Sequence, residues 1–204
     1  MNRRELLRAS LASGTGMLVA PARAAPAAAD AASTDGTPAQ FLPKARPDPA
    51  PQKDDLDKYL ICPYCGMDRR YFHKTRMLIH YSNDVPDPLC AIHCAAISIA
   101  LNLRLDPKAI YVADNGVDAD PRPLLEAEKA TFLVGSDIPG VMTTNSKMAY
   151  GSPAAAAAAQ REHGGKLMDF RQALRVAFAD LVDDMDGMRR AREERSRRAV
   201  RRVP

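Results

Sequence analysis

The chain has no Trp, and aromatic residues make up only 5% of its 204 residues. Its hydrophobic share of 46% is swollen by alanine in two tracts, so any core is modest and mostly aliphatic. No HExxH stands on a helix, no glycine-rich phosphate loop follows a strand, and no GxSxG occurs. Zinc-protease, nucleotide-phosphate and serine-hydrolase chemistry therefore have no carrier, and no enzyme is expected. Cysteine is scarce as well, with four residues, none in the terminal stretches.

The formal charge of +4 is unevenly spread. Residues 1–24 carry four Arg against one Glu, and residues 187–204 carry eight Arg against two Glu. The stretch between them is net −5. A mildly acidic body argues against a nucleic-acid partner.

The N-terminus has the three parts of an export signal in order. Arg3-Arg4-Glu5-Leu6-Leu7 opens a twin-arginine type charged region, Leu11–Ala20 is weakly apolar, and Ala22-Arg23-Ala24 offers a small-x-small cleavage site. The apolar run is too short to span a bilayer. A signal peptide over 1–24 and a periplasmic location are expected, without a lipid anchor, since no Cys lies near the cleavage site. Residues 25–55, rich in Ala, Pro, Asp and Gln and free of periodicity, read as a disordered linker. Residues 187–204 form an Arg-rich tail. Its ordinary reading is a solvated helix extension or frayed end; its sharper one is docking on an acidic partner or on anionic lipid head groups.

Between these lies an expected domain over 56–186. Met77–Tyr81 has strand character, Asn83–Pro88 is turn material, and Ala91–Asn102 repeats apolar residues at helical spacing. Ala109–Ala113 is a further strand. A second unit follows the same plan, with strands at Ala130–Val134, Ser146–Tyr150 and Lys166–Phe170. Its helix opens at Ser152-Pro153 and stops at Gly164-Gly165. A last helix covers Arg171–Asp186. The expected class is α+β, with two strand–helix–strand units in a duplicated small domain.

The cysteines form two close pairs, Cys62/Cys65 and Cys90/Cys94, with His93 inside the second and His73, Met77 and His80 between them. Copper(I) is soft and takes thiolate, thioether and imidazole at low coordination number. Cys65-Gly66-Met67 places a thiolate and a thioether on one tight turn. Zinc prefers a closed tetrahedron, which Cys62, Cys65, Cys90 and either His93 or Cys94 supply. The spacing leaves copper and zinc both open, and Met67 inclines the reading toward copper. Met142, in the loop Ile138–Met142, is read either as a gap-filling side chain or as a third soft ligand. Met148 and His163 read as structural or exposed. Cys62-Pro-Tyr-Cys65 also matches the dithiol of glutaredoxins, so a thiol–disulfide oxidoreductase is a rival. Gly66 directly after the second Cys argues against the helix that chemistry needs.

The order of Cys65-Gly66-Met67, Ala127–Ala130, the Gly135–Met142 loop and an Ala-rich helix ending in His163-Gly164-Gly165-Lys166 resembles the NosL family, the nitrous oxide reductase accessory proteins. The likeness covers roughly the whole core. It implies a two-unit α+β fold, a copper(I) site, and delivery of copper to the nitrous oxide reductase maturation machinery. By position, Cys65 and Met67 match the family's Cys-x-Met motif and Met142 a later Met. Two departures stand out. Members are often lipoproteins, and the shortest carry one core Cys, whereas this chain adds Cys62, Cys90 and Cys94. On this reading copper(I) is the expected metal, with zinc as the alternative; Cys90, His93 and Cys94 are assigned to structure or to a second metal position.

Overall fold

A computed structural model describes residues 41–200, apart from several side chains near the end of the last helix. The expected signal peptide and most of the expected linker lie outside the described residues. The fold is mixed α+β, built from two antiparallel sheets and four α-helices.

The first sheet holds β1 (Met77–Tyr81), β2 (Pro86–Leu89), β3 (Pro107–Ala113) and β4 (Leu124–Glu126), in the order β2-β1-β3-β4. The second holds β5 (Thr131–Val134), β6 (Lys147–Tyr150) and β7 (Lys166–Met168), in the order β6-β5-β7. Helix α1 (Asp55–Lys58) is a single turn; α2 (Ile92–Leu101) joins β2 to β3, and α3 (Pro153–His163) joins β6 to β7. Each unit therefore reads strand–strand–helix–strand. In both, the first strand is central and pairs antiparallel with the second and third.

The expected duplication is thus present, and the first sheet holds two strands, β2 and β4, that the sequence does not suggest. Pro86 and Pro88 give residues 83–88 the composition of a turn. They sit in β2, opposite His80 and Leu78 of β1, on the outer edge of the sheet. An edge strand needs hydrogen bonds on one side only, so it tolerates proline where a central strand does not.

Further differences lie at the ends of the domain. Residues 41–55, expected within the linker, pack against the body. Pro51 and Asp55 are buried, and the Asp48 amide donates to the Asp84 carbonyl at 2.8 Å. Helix α4 (Phe170–Val200) runs well past Asp186, so most of the Arg-rich tail is helical. Arg and Glu are good helix formers, which suits that extension.

One apolar cluster spans both units. Met77, Ile79, Tyr81 and Leu89 from the first sheet meet Phe132, Val134 and Ala149 from the second, with Ala95 and Ala96 of α2 and Ala173 and Ala177 of α4. Alanines at both helix faces let α2 and α4 pack closely. Helix α3 contributes little, since Ala156 is its one buried residue. Ser152 caps α3 and Gly164, at φ 69°, ends it, as the sequence predicts.

Candidate metal centre

Four sulfur atoms converge in the first unit. Cys62 and Cys65 sit on a knuckle ahead of β1, Cys90 follows β2, and Cys94 lies in the first turn of α2. Ala91 is extended and caps α2, and the chain bends there so that the Cys90 and Cys94 sulfurs lie 3.7 Å apart. Cys65 Sγ lies 3.3 Å from Cys90 Sγ, and all four sulfurs fall within 4.8 Å of one another. Cys62, Cys90 and Cys94 are buried; Cys65 is half-buried.

The knuckle is shaped by its backbone. The Gly66 amide donates to the Cys62 carbonyl at 2.9 Å, and the Cys62 amide to the Met67 carbonyl at 2.9 Å. Gly66 holds φ at 75°, a left-handed conformation that disfavours any side chain. No other atom approaches the place a Cβ would take, so the need is conformational rather than spatial. The turn aims amides at the sulfurs, Tyr64 N–H at Cys62 and Met67 N–H at Cys65. Such bonds favour thiolate.

Neighbouring side chains dock the knuckle. The Tyr64 hydroxyl donates to Asp87 of β2 at 2.5 Å, and Ser98 of α2 donates to the same carboxylate at 2.5 Å. Burial pushes the Asp87 carboxyl above its ordinary range, against those hydrogen bonds. Arg69, fully buried, donates to the Tyr59 and Leu89 carbonyls, the latter one residue before Cys90. It also pairs with Asp55 at 2.8 Å, and Asp55 pairs with Arg76 at 3.2 Å. A single buried cation thus fixes both chain segments that carry the sulfurs. Sequence reading missed Arg69, Asp55 and Asp87. Nothing in their local pattern marks them, because they act through partners far along the chain.

The four sulfurs shift one another's titration. Hydrogen bonding from Cys65, then from Cys90 and Cys94, pulls the Cys62 thiol far down. Cys65 is also lowered: Cys62 opposes that shift, and hydrogen bonds from Cys90 and Cys94 overcome it. Cys62 and then Cys65 push Cys90 and Cys94 up. The downward pull on Cys62 and Cys65 favours thiolate on the knuckle, the form in which sulfur binds a soft cation. Four thiolates around one ion with metal–sulfur bonds of about 2.3 Å would stand roughly 3.8 Å apart. The donor set and its spacing fit such an ion.

The remaining candidates lie around this cluster. Met67 and Met142 are half-buried and pack against the same apolar cluster as Cys62, Cys90 and Cys94. Met142 holds φ at 62°, rare for a residue with a side chain and a mark of a tightly determined loop. His93 turns one ring nitrogen to α4 and leaves the other, Nε2, buried without a hydrogen-bond partner. Its Nδ1 lies 3.1 Å from Asp184 of α4, both side chains are buried, and it is not among the converging donors. His73 Nδ1 accepts the Arg122 amide, His80 pairs with Asp84, and His163 pairs with Asp137. Met77 and Met148 are core residues. The dithiol rival loses its physical basis, since Cys62 is buried and no helix starts at the knuckle.

No curated protein sequence matches the chain. Among solved structures it resembles the copper chaperone NosL from Shewanella denitrificans, at 23% identity and a TM-score of 0.48, covering 64% of this chain and 96% of that one. It also resembles the apo-NosL protein from Achromobacter cycloclastes, at 26% identity and a TM-score of 0.33, covering 47% and 82%. The NosL family model matches residues 53–176, more than half of the chain and all four cysteines. The chain belongs to the NosL family.

Proposed function

We propose that this chain is a copper(I)-binding accessory protein, not an enzyme, that carries copper for maturation of nitrous oxide reductase. We further propose that it works in the periplasm, exported by the twin-arginine signal read in residues 1–24. The observation that carries the reading is the convergence of four cysteine sulfurs, one of them half-exposed, in a chain of the NosL family. Thiolates are the donors a soft monovalent copper prefers.

Copper is the cargo here. Cys62, Cys90 and Cys94 hold it from within, and Cys65 closes the mouth. A sulfur or imidazole from the acceptor displaces Cys65 first, because the other three are out of reach. Met67 and Met142, half-buried in the same cluster, are the thioethers the ion meets on leaving. Once Cys65 leaves, three thiolates remain on the ion and the freed position takes the acceptor's ligand.

An anaerobic titration of copper(I) against a chromophoric chelator tests this. Cys65→Ser should weaken binding, and Met67→Leu and Met142→Leu should slow release to the chelator, while circular dichroism stays that of the parent. Parent-like affinity and release in all three variants would move the cargo site elsewhere. One observation favours a second reading, a resident zinc tetrathiolate: the sulfur separations lie near those of a closed tetrahedron. That reading expects one zinc per chain, retained against a copper(I) chelator and never passed on.

A further inference from the structure

The outer side of α4 carries a line of residues that neither the core nor the metal centre uses. Arg171, Arg175, Phe178, Val182, Met185 and Arg189 recur at steps of four, three, four, three and four, and all six are exposed. Such steps keep a single line along a helix. Val182 leaves 64% of its surface open. The line is apolar in the middle and cationic at both ends, and spans about 27 Å at the α-helical rise. Beyond it the chain continues with more Arg, to a total of eight against two Glu over 187–204.

Acidic groups offset only part of this charge. Asp186 pairs with Arg189 at 3.2 Å, and Glu193 lies 3.9 Å from Arg197. Asp183 is exposed beside the line, while Asp180 and Asp184 are turned to Lys147 and His93. Among the described residues no helix is long and apolar enough to cross a membrane.

We infer that α4 docks this protein onto an anionic phospholipid surface. Phe178, Val182 and Met185 enter the head-group boundary, and the flanking Arg side chains meet lipid phosphates. Helices with a short apolar stripe and abundant Arg lie in the plane of the interface in this way. A second copy of the chain fits the stripe poorly. A parallel pair sets each Arg against itself, and an antiparallel pair centred on Val182 sets Arg175 against Arg189. Three apolar residues are also too few for a coiled-coil seam. A layer of mobile acidic head groups satisfies both ends and the middle at once.

The test is sedimentation of the full chain with vesicles of phosphatidylcholine alone, or with an equal part of phosphatidylglycerol. The parent should partition onto the anionic vesicles and not the neutral ones, and lose most of that binding at about 0.5 M salt. Changing Arg171, Arg175 and Arg189 to Glu should lower the partition on the order of a hundredfold. Changing Phe178, Val182 and Met185 to Ser should lower it by about tenfold or more, with helical content preserved. Equal partition onto both vesicle types would overturn the inference, as would parent-like binding by both variants. So would competition by soluble polyglutamate as effective as that by anionic vesicles, which would mark an acidic protein as the occupant.

Discussion

The two units share one strand order but differ in where they put their helix. In the first, α2 sits inside, against α4, with six of its ten residues buried. In the second, α3 lies outside as an alanine-rich cover with one buried residue. The strand-to-helix junction differs accordingly. Between β2 and α2 it carries Cys90, with Cys94 in the first turn of the helix; between β6 and α3 it carries Gly151, whose amide donates to Asp114, and Ser152, which caps the helix. A repeated scaffold is free to specialise one copy, and the specialised junction is the one that ends in the core. There desolvation holds sulfurs together and keeps water and competing ligands away.

Several substitutions would break or sharpen that contrast. The largest effect belongs to the first junction. Changing Cys90 and Cys94 together to Ser should weaken metal binding on the order of a thousandfold or more, by anaerobic chelator competition. Met148→Leu, a buried change in the second unit, should leave affinity unchanged. An equal loss there would end the distinction between the units.

Next is the buried ion cluster beneath the knuckle. Asp55→Ala leaves Arg69 and Arg76 without their shared carboxylate. Equilibrium urea unfolding should show a loss of about 3–5 kcal/mol. A loss under 1 kcal/mol would mean that water or movement replaces the carboxylate, and that the cluster does not fix the sulfurs.

Smaller still is the turn. Gly66→Ala must hold φ at 75° with a side chain, which should cost about 1–2 kcal/mol in the same assay and loosen metal binding with it. Smallest is the second junction, where Ser152→Ala removes the cap of α3 and should cost about 0.5–1 kcal/mol with no change in metal affinity.

What the sequence showed divides along the same line as these predictions. The duplication, the start and stop of α3 and most strand positions depend on near neighbours, so periodicity and capping residues reveal them. Strand β2 was hidden because Pro86 and Pro88 look like a turn, and only its place at the sheet edge makes them acceptable. That one strand also hid how Cys90 reaches the knuckle. The cysteine pairs were visible as metal ligands, but their union in one cluster depends on β1 pairing with β2 and on Arg69 bridging Tyr59 to Leu89. His93, read from its place between Cys90 and Cys94 as structure or as a second metal position, pairs through Nδ1 with Asp184, 91 residues along the chain. Contacts that distant leave no local mark.

The most direct test of the account is the metal content of the chain by mass spectrometry after anaerobic purification, before and after challenge with a copper(I) chelator, for the parent and for Cys65→Ser. The account predicts about one copper per parent chain, surrendered slowly to the chelator, and a substoichiometric, quickly lost copper in the variant. One zinc per chain that survives the challenge in the parent, with no copper taken up, would contradict it and leave the four sulfurs as a structural clasp.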